Sequence, residues 1–216
     1  MPRQRAPRVA ARLDPRGEER AQRFLKAATE IFIEKGYSSA RLIDIIGRAG
    51  GGSLSTLYQA FGDKEGLALA IMRQSIVAFG QSLQQLPESP LPPEQALPEA
   101  ALRMLDEILS PERIVCHRIV VAEGLRFPML RDWFFEHGVA SAVALLTQYF
   151  RRESAAGRLV LLDNPSSTAN RFYMTAFGDI ILHSVCGRIA GEDAEHMRTE
   201  VSHAVDIFLR GILPRP

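Results

Sequence analysis

The sequence predicts an all-α protein, with a small N-terminal unit of three helices followed by a larger helical part. Three observations carry that reading. Apolar residues recur three and four apart through most of the chain, which is the spacing of one helix face. Proline removes a backbone donor and clashes inside a helix. It is absent from Arg16 to Leu86, after which five of the thirteen (Pro87, Pro90, Pro92, Pro93, Pro98) crowd together as a break. No alternating apolar–polar segment is long enough for a half-buried strand.

The elements follow in order. Residues 18–36 place Phe24, Ala27, Ala28, Ile31 and Phe32 on one helical face, and Gly36 suits the end of that helix. Leu42, Ile45, Ile46 and Ala49 form a second, short amphipathic helix, ended by Gly50-Gly51-Gly52. Ser53 is a good N-cap for a third helix, because its hydroxyl can accept from first-turn amides. Leu54, Leu57, Tyr58 and Phe61 lie on that helix's apolar side, and Gly62 ends it. Asp63 caps a fourth, long helix over 64–86 carrying Leu67, Ile71, Ile76, Phe79 and Leu83. Beyond the proline cluster, helices are expected at 94–109, 112–126, 129–137 and 139–156, the last two separated by Gly138. The stretch 112–126 is rich in Ile and Val and admits a buried strand, but its length and its Arg113, Arg118 and Glu123 favour a helix. Asn164-Pro165 is an N-cap followed by a first-turn proline and opens 165–186. Gly187 and Gly191 bracket a turn before a last helix, 193–213, with Met197, Val201, Ala204, Val205, Phe208 and Ile212.

Composition excludes several classes. With 216 residues, 46% hydrophobic and 24% charged, the chain can bury a core without disulfides and is neither disordered nor fibrous. No apolar run reaches the roughly 18 residues of a membrane span, so no membrane partner is expected. The basic N-terminus lacks the apolar segment of a secretory signal. Two cysteines, Cys116 and Cys186, make no disulfide framework, and a reducing cytoplasm is the expected location. The net charge of +1 hides an asymmetry: residues 1–64 carry an excess of +5 and residues 65–216 an excess of −4. A basic first quarter points to a polyanionic partner for that part alone.

Two short helices joined by a tight glycine turn form a helix-turn-helix pattern, whose second helix can lie in a DNA major groove. Thr56, Tyr58 and Lys64 are residue types that hold phosphates. A plain helical bundle with a glycine-rich loop has the same periodicity. The identities of the residues separate the two readings. An apolar helix ends in Phe32 to Tyr37, a short helix ends in Ala49-Gly50, and then come Thr56-Leu57-Tyr58, Phe61, Lys64-Glu65 and Leu67. Over Phe24 to Met72 this pattern resembles the DNA-binding domain of the TetR family of bacterial regulators.

The chain departs from that pattern in three places. The turn holds one extra glycine, expected to tilt the recognition helix. Ala60 replaces the usual histidine, and Ala40 stands where a Thr or Ser usually caps the second helix. The resemblance implies a division into a basic arm (1–17), a helix-turn-helix domain (18–63) and an effector-binding and dimerisation domain (64–216) entered by a connecting helix (64–86). It implies double-stranded operator DNA as a partner, with Arg41, Thr56, Tyr58 and Lys64 on phosphates. Leu54, Ser55 and Gln59 then face base edges beside the Ser53 cap, and Gln59 suits adenine. The arm, with Arg3, Arg5, Arg8 and Arg12, is either a minor-groove element or a solvated tail.

The stretch Arg118 to Gly138 resembles effector domains of some members of the family, which implies a small-molecule effector and a homodimer. A cavity for a hydrophobic or aromatic molecule is expected among Cys116, Glu123, Phe127, Trp133, Phe134, Tyr149, Phe172 and Phe177. By position in the family's plan, the last two helices pair with a second copy through Phe172, Ala176, Ile180, Val201, Val205, Phe208 and Ile212. The expected role is repression relieved by the effector. No cofactor or metal is expected. Two other readings stand beside it. Cys116 with His117, His183 with Cys186, or Glu192 with His196 allow metal or redox sensing, without a full ligand set. An all-α enzyme is the last, and no catalytic motif supports one.

Overall fold

The computed structural model describes residues 15–188 and 194–214. The arginines of the arm, Gly191, Glu192 and the first residue of the expected last helix lie outside these. Among the described residues ten α-helices follow in order: α1 (Pro15–Lys35), α2 (Leu42–Arg48), α3 (Leu54–Phe61), α4 (Lys64–Leu83), α5 (Pro93–Ile108), α6 (Pro111–Glu123), α7 (Pro128–Phe134), α8 (Ala140–Ala155), α9 (Pro165–Val185) and α10 (Ala194–Ile212). No strand occurs among the described residues. The Ile/Val-rich segment is the helix α6, capped by Ser110, whose hydroxyl accepts from the Arg113 amide.

Two expected boundaries are corrected. The helix α4 stops at Leu83 rather than 86, and Leu86–Glu88 form a single 3-10 turn containing Pro87, which has no amide to extend an α-helical ladder. Gly138 does not separate two helices. Phe135–Val139 form a π-helical turn that runs α7 into α8. Gly138 sits there because a Cβ at this position would lie 3.2 Å from the Ile76 side chain, so the glycine serves close approach to α4.

Two apolar cores organise the chain. The first joins α1–α3 and the front half of α4 (Leu67, Ile71, Met72) to Val115, Cys116 and Ile119 of α6 and Leu130 and Phe134 of α7. The second joins the back of α4 (Phe79, Leu83) to α5, α8, α9 and α10. The front of α4 therefore packs with the N-terminal helices and its back with the C-terminal ones. Meanwhile α6 and α7, late in sequence, complete the N-terminal core.

Candidate nucleic-acid interface and the buried cluster behind it

The turn before α3 is built from Gly50, Gly51 and Gly52, all at positive φ. Gly52 is the most constrained of the three. Its φ is +123°, and a Cβ would lie 2.8 Å from Phe24 Cζ. The third glycine thus lets the turn fold tightly over the α1 core. Ser53 then caps α3: its Oγ accepts from the Thr56 amide at 3.1 Å and lies 2.9 Å from Thr56 Oγ1. Leu57 is fully buried and pins the helix to the core. One turn apart, Leu54 with Tyr58 and Ser55 with Gln59 form the opposite, exposed face, where Leu54 is 42% and Tyr58 50% accessible. An apolar and an aromatic side chain left open on an eight-residue helix have no partner in the fold.

The two basic side chains expected on phosphates behave differently. Arg41 projects into solvent, and its guanidinium meets Asp44 at 3.2 Å. Asp44 also takes Lys35 at 3.0 Å, and hydrogen bonds from the two cations bring its carboxyl down to about 2. Arg41 keeps free donors for a phosphate. Lys64 is instead committed. Its ammonium donates to the carbonyls of Tyr37 (2.9 Å), Ser38 (3.1 Å) and Ala40 (3.1 Å), which uses all three protons. Partial burial lowers its pKa. Lys64 as placed is a tie across the start of α2, its three protons committed to carbonyls.

The expected effector residues do not surround one cavity. Cys116 and Phe134 are buried in the first core, with Phe127 and Trp133 packed at its edge. Tyr149, Phe172 and Phe177 are fully buried in the second. Neighbouring side chains on a helix diverge by about 100°, so α6 and α7 turn Cys116, Trp133 and Phe134 into the first core while α8 and α9 turn Tyr149, Phe172 and Phe177 into the second. Only Glu123 of the eight lines the crevice of about 420 Å³ where α6 meets the ends of α1 and α9, beside Tyr37, Arg118 and Cys186. Arg118 crosses this crevice, donating to the carbonyls of Ile33 (3.4 Å) and Ser184 (3.2 Å).

Between the two cores lies a cluster of polar groups of which the sequence expectations named Cys116 and His117 but gave Arg113 no site role. Arg113 is 4% exposed, and no ion pair joins it to a carboxylate among the described residues. Its Nη2 donates to the Ser75 carbonyl at 3.3 Å, and its Nε has no partner. The guanidinium carbon lies 4.5 Å from the Phe79 ring centre and 5.6 Å from that of Phe134. Burial lowers the Arg113 pKa, pushes the Cys116 thiol up to about 12 and, with help from Arg113, brings His117 down to about 3. The imidazole and thiol are therefore neutral at pH 7. Desolvating a cation costs on the order of several kcal/mol, and two cation–π contacts return at most about 2 kcal/mol each. A sequence signal for this cluster existed: Arg113, Cys116, His117 and Val120 fall on one helical face of α6.

Six of the seven residues expected at a dimer interface are buried within the single chain: Phe172, Ala176, Ile180, Val201, Val205 and Ile212. Phe208 packs against the same core, 5.3 Å from the Phe172 ring. They form the interior of the protomer, which corrects the expectation. The outward apolar positions of α9 and α10 are Met174, Leu182 and Ile207, at 64%, 59% and 68% exposure. No group of three or more His, Cys, Asp or Glu side chains among the described residues converges as a metal site. No helix there is long and apolar enough to cross a membrane.

Comparison with known proteins agrees with this architecture. Residues 24–71 match the family model of the bacterial regulatory proteins of the tetR family, and residues 95–211 match that of the AefR-like transcriptional repressor C-terminal domain. The chain is similar to the HTH-type transcriptional activator FasR of Mycolicibacterium smegmatis, with 30% identity over 134 residues, or 62% of this chain. That match spans only 56% of the curated relative's length. A TetR-family transcriptional regulator from Mesorhizobium loti, 22% identical, superimposes with a TM-score of 0.76 over 93% of this chain and all of that one. The flavonoid-responsive regulator FrrA, 28% identical, does so with a TM-score of 0.61 over 92% of this chain and all of that one.

Proposed function

The chain belongs to the TetR family of DNA-binding transcriptional regulators, and from that premise we propose that it is a repressor released from its operator by a hydrophobic or aromatic small molecule. The single observation that carries the DNA-facing half is the exposed stripe Leu54–Ser55–Tyr58–Gln59 on a helix anchored by buried Leu57. Such a stripe fits a major groove, with Gln59 able to pair with adenine and Leu54 to touch a thymine methyl. Arg41, Thr56 and Tyr58 supply phosphate contacts, Thr56 Oγ1 also lying 2.9 Å from the Ser53 hydroxyl. Residues 18–63 act as the DNA-reading unit and 64–216 as the effector and dimerisation unit, sharing α4. The reading places the protein in the cytoplasm with its operator.

Repression is supported by the description of the family model that matches 95–211, whereas the relative FasR is named an activator. An aromatic effector is supported by the flavonoid response in the name of FrrA. A homodimer is the natural partner for two half-sites on DNA. Its interface is proposed on the outward faces of α9 and α10, through Met174, Leu182 and Ile207, because the inward faces are occupied by the core. Induction then runs through α4, which starts beside α3 and ends among the effector helices. A mobility-shift assay on DNA upstream of the chain's own gene tests this. A discrete shift that resists competitor duplex supports the reading, and a shift abolished equally by any duplex contradicts it.

A further inference from the structure

We propose that Arg113 is the anchor for the carboxylate of an acidic, otherwise apolar effector, held between α4, α6, the π-helical turn and α9. This rests on the regulator reading above and gives its effector a chemical class. Arg113 is a buried cation with no carboxylate paired to it among the described residues, an unpartnered Nε and one long hydrogen bond to the Ser75 carbonyl. The groups facing it are uncharged at pH 7: the Cys116 thiol on its own helix and Tyr173 of α9, with neutral His117 beside them. Glu107 of α5 acts on it electrostatically without forming an ion pair. The cluster therefore carries one positive charge without an ion-pair partner in a medium of low polarity, where an anion is held more strongly than in water.

The chemistry of the cluster narrows the ligand. A planar guanidinium favours a carboxylate, which can accept two parallel hydrogen bonds. One arginine with no second basic side chain matches a monoanion rather than a phosphate dianion. The rings of Phe79 and Phe134 pack on the guanidinium and that of Tyr173 packs on Phe79, so the part of a ligand that displaces them is apolar or aromatic. Buried His117 has an unpartnered Nδ1 beside the Phe134 ring, a further polar contact for the acid. Gly138, in the π-helical turn, lies against both Ile76 and Arg113 Nη1. Such turns recur at functional sites and interrupt regular helix packing. The site also touches α4 directly, through Ser75 and Phe79. A carboxylate that draws the guanidinium away from the Ser75 carbonyl changes how α4 seats on α6, and α4 carries the change to α3. By linkage, acid binding and operator binding then oppose each other by the same factor.

The test uses the purified full chain and three acids, octanoate, benzoate and 3-phenylpropanoate, each against its uncharged primary amide. Thermal unfolding and the fluorescence of Trp133, the one tryptophan, report binding. The expected result is saturable stabilisation by at least one acid, with its amide about ten-fold or more weaker. Arg113→Met, which replaces the cation by an apolar chain of similar length, should melt no lower than the parent, lose the acid response and, lacking the bond to the Ser75 carbonyl, bind operator DNA no more tightly than the acid-bound parent. Arg113→Lys, should the methionine variant fail to fold, is expected to bind the acid about ten-fold or more weaker. No saturable response to any of the acids, equal response to acid and amide, or undiminished acid binding in the folded variant overturns the proposal. Operator binding without an acid response defeats this inference alone, whereas absence of operator binding defeats the regulator reading itself.

Discussion

The ammonium of Lys64 donates to the Tyr37 carbonyl at 2.9 Å and sits 4.7 Å from the centre of the same residue's ring. One residue of the α1–α2 connection thus holds the first side chain of α4 by a hydrogen bond and a cation–π contact. The effector side grips the same connection. The Phe127 ring meets the Tyr37 ring edge-on at 5.1 Å, and Arg126 donates to Ser38 Oγ at 3.4 Å. The segment leading into the helix-turn-helix is therefore clamped both from α4 and from the α6–α7 corner.

A tie and a phosphate contact respond differently to mutation. Lys64→Gln should lower stability by about 1 kcal/mol, since two part-buried carbonyls and one exposed carbonyl lose a charged donor. It should weaken DNA binding while leaving the salt dependence nearly unchanged. Arg41→Ala should leave stability within about 0.5 kcal/mol and reduce the slope of log affinity against log salt by about 1. Binding isotherms from 50 to 200 mM salt separate the two, and a reduced slope in the Lys64 variant would support its phosphate role.

Gly52→Ala forces a left-handed backbone on an L side chain and a Cβ onto Phe24. The strain should cost about 1–3 kcal/mol and displace α3. The expected outcome is a folded protein with a lowered melting temperature and operator affinity reduced more than for Gly50→Ala, whose Cβ meets nothing within 4 Å. Equal losses for both variants would show that the Phe24 contact does not set the turn.

The inward and outward faces of α10 make opposite predictions. Ile207→Glu changes an exposed position and should leave a folded monomer. Val205→Glu buries a charge in the protomer core and should unfold the chain. Sedimentation with circular dichroism reads both, and a dimer that persists in both Ile207→Glu and Leu182→Glu removes this interface.

Stability should fall with acid in a defined window. His117 titrates at about 3 in the folded chain against an ordinary 6.5, because burial and then Arg113 disfavour its charged form. Between those values the unfolded chain binds a proton that the native chain does not, so stability declines as pH drops from about 6.5, by up to about 1.4 kcal/mol per pH unit. His117→Leu should flatten the decline measured by denaturant midpoints at pH 7 and pH 5. An unchanged slope would mean that other groups cause it.

Much of this architecture was legible because helical spacing and proline placement are local signals. Capping by Ser53, Asp63 and Asn164 was readable for the same reason, each side chain accepting from an amide three residues on. What escaped depends on distant chain. The carbonyls that take Lys64 lie 24 to 27 residues earlier, so residue type alone suggested a phosphate ligand. On α9 and α10 an apolar residue fits a core or an interface equally, and only packing distinguishes Val205 from Ile207. Gly138 reads as a helix stop until α4 is laid against it. The aromatic residues of α7 and α9 divide between two cores because α6 folds back onto α1, a long-range pairing with no mark in local pattern.

The central claim is that α3 reads base edges of a particular duplex. The most direct measurement enriches a random duplex library on the purified chain, then measures affinity for the selected site against unrelated duplex at about 150 mM salt. The account predicts a preference of roughly 10³-fold or more for two half-sites about 34–36 Å apart or a multiple of that. It also predicts that Gln59→Ala relaxes the choice at one base pair by about 1–3 kcal/mol. No enriched sequence, with equal affinity for every duplex in both the parent and the Gln59 variant, would contradict it.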